Sequence, residues 1–174
     1  MILRTCGLSV LLVLLSANCP PVSYAQVVER EGESHIAFIE DDNIAMNAAI
    51  DAARASLPHF WEQFANAAAI DEMHLLKVGL PTPEGDSEFI WIYPTDYDAE
   101  SEEFQGMLMN EPFNLAGNLK IGDLVNFQDE QIIDWSYYEG EMRRGEFTTR
   151  VLIANMSSEE AEAYEGMLHS SPIP

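Results

Sequence analysis

The chain has 174 residues, 8 of them Lys or Arg and 30 Asp or Glu, for a formal net charge of −22. A surface of that sign repels nucleic acid and anionic lipid, whose phosphates are also negative, so neither is expected as a partner. The two cysteines, Cys6 and Cys19, both stand near the start of the chain.

That start reads as a secretory leader. Arg4 supplies a positive charge, Gly7 to Ala17 ("GLSVLLVLLSA") an apolar run, and Ser23 and Ala25 the small residues before a cleavage position. The apolar run is shorter than the ~20 residues of a membrane span. Two alternatives stay open. One is a lipid anchor on Cys19, although Asn18 stands where a small residue is expected; the other is an uncleaved N-terminal anchor. Cleavage after Ala25 leaves residues 26–174, a periplasmic or secreted domain with no membrane insertion. Without thiols it excludes cysteine catalysis and cysteine metal sites, and packing alone must hold it.

Residues 26–34 are polar and predict a flexible arm, and "HIAFIE" (35–40) a first short strand. Asp41 or Asp42 can cap the helix that follows, because a carboxylate accepts the free N–H groups of a first turn. Met46, Ile50, Ala53, Leu57, Phe60, Trp61 and Phe64 recur at three- and four-residue intervals, one helical stripe. Pro58 interrupts it, predicting a kink, or one helix ending near Ser56 and a second starting at Pro58.

The period then changes. "HLLKVGL" (74–80) and "EFIWIYP" (88–94) predict a hairpin through the turn residues of "PTPEGDS". "PTDYDAESEE" (94–103) reads as an acidic loop and "FQGMLMN" (104–110) as a strand covered on both faces. After the loop 111–123, Leu124 to Phe127 and Gln131 to Tyr138 predict a second hairpin. There Trp135 packs inward and Asp134 faces water, since neighbours on a strand point to opposite sides. "EGEMRRGE" (139–146) is a turn-rich link, and "FTTRVLIA" (147–154) a last strand or a short helix. Ser157 with Glu160 three residues on is a capping-box signal for a terminal helix over 158–168. The expected fold is α+β: a kinked N-terminal helix on a curved, mostly antiparallel sheet, with a C-terminal helix. Residues 35–156 form the domain body and 157–174 the terminal helix and tail.

The ordered series "MNAAIDAARASLPHF", "EFIWI", "FQGMLMNEP", "IGDLVNF", "IIDW" and "GEFTTRVL" resembles the bacterial YegJ-like domain of unknown function over residues 36–154. The resemblance implies a small bacterial protein, in some cases exported, and supplies no reaction. It marks Glu88, Trp91, Asn110, Asp134, Trp135 and Arg150 among the positions kept in order.

Asp134 beside Trp135 is a candidate acid, because an apolar wall disfavours the ionised carboxyl. Its structural alternative is an ion pair with Arg143, Arg144 or Arg150. Glu88 and Asp134 meeting across strands would make a two-carboxylate hydrolase, with Arg150 placing an anionic substrate. His35, His59, His74 and His169 show no ligand spacing, so no metal is expected. Asp96, Asp98 and Glu100 resemble the start of a calcium loop, but Ser101 and Met107 stand where such a loop needs Gly and Glu. Ser87 and Ser136 lack a nucleophile elbow, there is no Gly-rich phosphate loop, and no cofactor is expected. Phe104, Met107, Met109 and Met142 line either a soft groove or the core. Trp91, Trp135 and Asn110 are the candidate binding residues. The favoured reading is a non-catalytic binding domain for a cationic partner, a basic protein such as an exported wall-degrading enzyme. The alternative is the small hydrolase built on Glu88 and Asp134.

Overall fold

The computed structural model describes residues 26–28, 36–38, 43–67 and 73–174. The expected leader and the cap candidates Asp41 and Asp42 lie outside them. Where the sequence predicts an arm, Gln26–Val28 (β1) pairs antiparallel with Ile36–Phe38 (β2). At the next element Asn43 is the cap: its Oδ1 accepts the Met46 N–H at 3.0 Å.

The helix stripe splits into α1, Ile44–Ala55, and α2, Leu57–Asn66, which part at Ser56. Pro58 has no N–H to continue the ladder, and the first turn of a new helix tolerates it. Two helices therefore form rather than one kinked helix. Met46, Ala53, Leu57 and Phe60 are buried, and Ile50, Trp61 and Phe64 pack against the buried clusters.

The strands are β3 (Leu75–Pro81), β4 (Ser87–Asp98), β5 (Glu103–Leu108), β6 (Leu124–Phe127), β7 (Ile132–Glu139) and β8 (Met142–Gly145). They form one open antiparallel sheet in the order β6-β5-β4-β3-β7-β8. The β3–β4 hairpin is the one expected from its turn residues. Strand β4 continues through Asp98 into the stretch predicted as loop, with a register shift between Pro94 and Asp96. The link 139–146 holds a further strand, β8, which folds back on β7.

The second predicted hairpin does not form. Strand β6 pairs with β5, and β7 pairs with β3 and β8. In a flat sheet β6 and β7 would lie about 19 Å apart, four strand spacings. The chain from Phe127 to Ile132 reaches at most about 18 Å. The sheet must therefore curl, and Asp129–Gln131 bridges its open side as a single turn of 3-10 helix. Arg54 on α1 fixes that bridge by donating to the carbonyls of Asp129 and Ile132, each at 2.8 Å. Gln131 donates to the Gly79 carbonyl of β3 at 2.9 Å.

The helix pair lies against the core face of the curled sheet. Trp61 stacks on Phe104 of β5 with ring centroids 5.3 Å apart. The Trp135 indole N–H donates to the Ala53 carbonyl at 3.1 Å and to the Ser56 hydroxyl at 2.9 Å. The Ala53 carbonyl at the C-terminal end of α1, which the Ser56 N–H also reaches, is thereby tied to the sheet.

Residues 147–154, left open between strand and helix, form α3, Phe147–Ile153. Gly145 and Glu146 both have left-handed backbones, φ 74° and 57°, which end β8 and turn the chain into that helix. The last helix, α4 (Ser158–Met167), carries the expected capping box between Ser157 and Glu160. The tail then returns along β8: His169 donates to the Arg143 carbonyl at 3.0 Å, and Gly145 to that of Pro172 at 2.9 Å.

Gly145 tests this corner. A Cβ there would stand 2.0 Å from the Trp135 carbonyl oxygen, on a backbone that L side chains rarely adopt. Gly145→Ala is expected to cost on the order of 3 kcal/mol in urea unfolding, from strain and overpacking together. Gly140→Ala, at φ 65° with open space around it, should cost only about 1 kcal/mol, the strain alone.

Candidate functional site

Asp134 is fully buried, which corrects the expectation that it faces water. The alternation itself holds: Trp135 stands opposite Leu76 and Asp134 opposite Lys77, so the two point to opposite sides of β7. The side expected to be wet is covered by the start of α3. Asp134 Oδ1 accepts the N–H groups of Trp135 at 2.8 Å and Phe147 at 3.1 Å. Oδ2 accepts the Thr148 N–H at 2.8 Å and its hydroxyl at 2.6 Å. A carboxylate from a strand thus caps a helix whose own preceding residue makes no side-chain cap.

Lys77 donates to the Thr148 hydroxyl at 3.1 Å, giving an ordered Lys77–Thr148–Asp134 chain. Burial pushes the Asp134 carboxyl up to about 6; the Lys77 charge and the Thr148 donors pull it back, and Glu146 adds to the rise. Glu146, at the turn from β8 into α3, is also buried. Its Oε1 accepts from Ser136 at 3.1 Å and Arg143 at 2.7 Å, and its Oε2 from the Thr149 hydroxyl.

The expected ion pairs of Asp134 with arginine go elsewhere. Arg143 pairs with Glu146 at 2.7 Å and Arg144 with Glu139 at 2.6 Å. Arg150 donates from Nε to the Gly145 carbonyl at 3.0 Å. Its guanidinium is lowered by burial and raised by Glu146 and Asp134, so it shares their field.

Glu88 is not brought to this cluster. It stands opposite Leu80 on β3, three residues from Lys77, and therefore on the opposite face from Asp134. Its oxygens accept the N–H groups of Phe113 at 2.6 Å and Asn114 at 2.7 Å, which anchors the loop before β6. The two carboxylates serve different elements, so the geometry does not assemble a shared acid–base pair. Trp135 is buried and cannot meet a ligand as a binding residue. Trp91 and Asn110 do come together: Asn110 Oδ1 accepts the Trp91 N–H at 2.9 Å, and the Lys77 ammonium lies 5.1 Å from the Trp91 ring centroid.

The calcium-like loop turns its oxygens on itself. Asp98 accepts from the Glu100 N–H and the Ser101 hydroxyl, each at 2.9 Å, and the Glu100 bond foremost holds its carboxyl below the usual range. Among the described residues, no group of three or more His, Cys, Asp or Glu could hold a metal ion. The methionines do not converge either, since Met107 lies on β5 and Met142 on the edge strand β8 at the other end of the sheet.

A proton relay ending in a hydroxyl could serve acyl transfer, but Thr148 has no exposure and every Asp134 oxygen already accepts two bonds. The cluster is a scaffold device. Sequence reasoning missed Lys77, Thr148 and Glu146. One signal was present: Gly145 directly before a helix-compatible "EFTTRVL" marks a turn whose first N–H groups need an acceptor.

Most of the described cations share this fate: Arg54, Lys77, Arg143, Arg144 and Arg150 bond within the fold, while Lys120 stands exposed. Carboxylates such as Asp96, Glu100, Glu102, Asp123, Glu130 and Glu141 stand exposed. No described helix is long and apolar enough to cross a membrane.

Fold and site together define an α+β domain with an open six-stranded antiparallel sheet and a buried polar cluster centred on Asp134 and Thr148. The chain belongs to the bacterial family DUF2314, described as an uncharacterized protein conserved in bacteria, whose family model matches residues 43–168. No curated protein and no solved structure matches it.

The raised pKa of Asp134 has a definite sign. Between its ordinary 3.8 and about 6 the folded chain holds a proton that the unfolded chain has lost. This contribution is therefore full below about pH 4 and lost as pH rises through about 6. Asp134→Asn removes the titration. The wild-type unfolding free energy should fall relative to the variant by on the order of 3 kcal/mol between about pH 4 and about pH 7. Urea unfolding of both proteins across that range is the measurement, and parallel profiles would contradict the assignment.

Proposed function

We propose that this protein is an exported, non-catalytic binding domain for a cationic partner, most simply a basic protein. One observation carries the reading: of the described lysines and arginines only Lys120 stands exposed, the arginines and Lys77 being tied to other groups of the chain, while many carboxylates stand outside, on a chain of net charge −22. Such a surface attracts positive charge from a distance and sets on-rate and partner choice more than contact strength. The buried acids support the same reading, since Asp134 and Glu146 are saturated by donors of the chain itself. Within its family we read the chain as YegJ-like, on the ordered motifs of residues 36–154. Export rests on the leader pattern of residues 1–25.

Titration with poly-lysine and with poly-glutamate tests the partner class. Poly-lysine should bind, and its affinity should fall steeply as salt is raised through about 0.1 M, where screening reaches about 10 Å. Poly-glutamate should not bind. Absence of poly-lysine binding, or affinity indifferent to salt, would remove the proposal. For export, the periplasmic or secreted form should begin at Gln26 in intact-mass analysis; retention of the full leader in the cytoplasm would contradict it.

A further inference from the structure

The two edges of the sheet are treated differently. At β8 the chain covers its own edge: Arg143 bridges Leu168 in parallel, and the tail bonds to Arg143 and Gly145. At β6 no described strand lies outside. The register leaves usable groups there. Leu108 donates to the Asp123 carbonyl at 2.9 Å, and Gly106 stands opposite Val125 and Phe104 opposite Phe127. Antiparallel bonding alternates, so Val125 and Phe127 turn their backbone groups to β5, and Leu124 and Asn126 turn theirs outward. Natural edges are usually blunted by shortness, lysine, proline, a bulge or a covering segment. The stretch Leu124–Phe127 ("LVNF") is short, four residues, but contains neither lysine nor proline.

The surroundings fit a ligand of one character. Leu124 is 54% exposed and Ile121 57%, apolar surface beside open backbone. Asp123 precedes the strand, Glu103 reaches the Asn126 side chain at 3.4 Å, and Glu130 follows, three carboxylates against one exposed cation, Lys120. A second copy of this chain would set these carboxylates against their own counterparts at a net charge of −22 each, a repulsive pairing. An extended basic segment meets both the open backbone and the acidic rim.

We propose that the outer edge of β6 takes up an extended, lysine- or arginine-bearing segment of a partner protein as an added antiparallel or parallel strand. This rests on the cationic-partner reading and locates it. The backbone N–H and C=O of Leu124 and Asn126 supply the new ladder, Leu124 and Ile121 its apolar contact, and Asp123, Glu103 and Glu130 its selectivity for positive charge.

The probe is an alternating lysine–valine peptide of about ten residues, strand-length, compared with the same peptide N-methylated at alternate residues. N-methylation keeps every charge and removes strand donors. The plain peptide should protect the amides of Leu124 and Asn126 in hydrogen exchange, and the methylated one should bind about tenfold more weakly. Asn126→Pro removes an outward donor from the backbone ladder together with the Asn126 side chain and its bonds to Gln105 and Glu103; relative to Asn126→Ala, which removes the side chain alone, it should weaken the plain peptide by a similar factor while keeping the wild-type circular dichroism spectrum. Equal binding of both peptides, without protection at Leu124 and Asn126, would overturn the edge and leave the cationic-partner reading standing. Failure of both peptides together with poly-lysine would overturn both. A dimer of the chain showing that protection without peptide would overturn the proposal by assigning the edge to a second copy.

Discussion

Two neighbouring residues on one strand hold the fold together in opposite directions. Trp135 reaches toward the helices and satisfies the end of α1 at Ala53 and Ser56. Asp134 reaches the other way and gathers the first N–H groups of α3. Both are fully buried. A strand permits this because its side chains alternate, and β7 can use both directions because each face is covered there, one by the helix pair and the other by the start of α3. The break between α1 and α2 and the turn from β8 into α3 are both referenced to the same stretch of backbone.

Burying a carboxylate is costly unless it is well bonded. Asp134 meets that cost with four donors, and Glu146 with Ser136, Arg143 and Thr149. The chain has few cations, and most of those described are drawn into such contacts or, in the case of Arg54, into bracing the bridge across the sheet. Internal neutralisation has an external consequence. The surface left behind is anionic, and its electrostatic character follows from the stability requirements of the core as much as from composition.

The curl of the sheet links these features. A short bridge from β6 to β7 cannot span a flat sheet of this order, so the curvature is enforced by chain length. That curvature forms the face on which Trp61, Phe104 and Phe127 stack and against which the helices lie. Among the described strands it also leaves β6 without an outer neighbour, while the tail runs along β8.

Much of the fold was legible in local patterns. The stripe from Met46 to Phe64, the break around Pro58, the hairpin at "PTPEGDS" and the Ser157–Glu160 box each rest on residues close together in the chain, where sterics and hydrogen bonding act without outside help. Strand pairing at residues 124–138 was not legible, because "QDE" carries no tight-turn chemistry and the partners of β6 and β7 are distant in sequence. The same limit explains the candidate site. Alternation correctly separates Asp134 from Trp135, but only the tertiary fold brings Thr148 and Lys77 over Asp134 and sends Glu88 to a loop on the other face. The sequence by itself determined most of the helices and strands, the strong excess of negative charge and the absence of cysteine after residue 19, since these follow from residue type and short-range period. Which carboxylates are buried, which cations they hold and how the described strands are ordered were decided by long-range packing, since a side chain's surroundings depend on elements that local pattern does not locate.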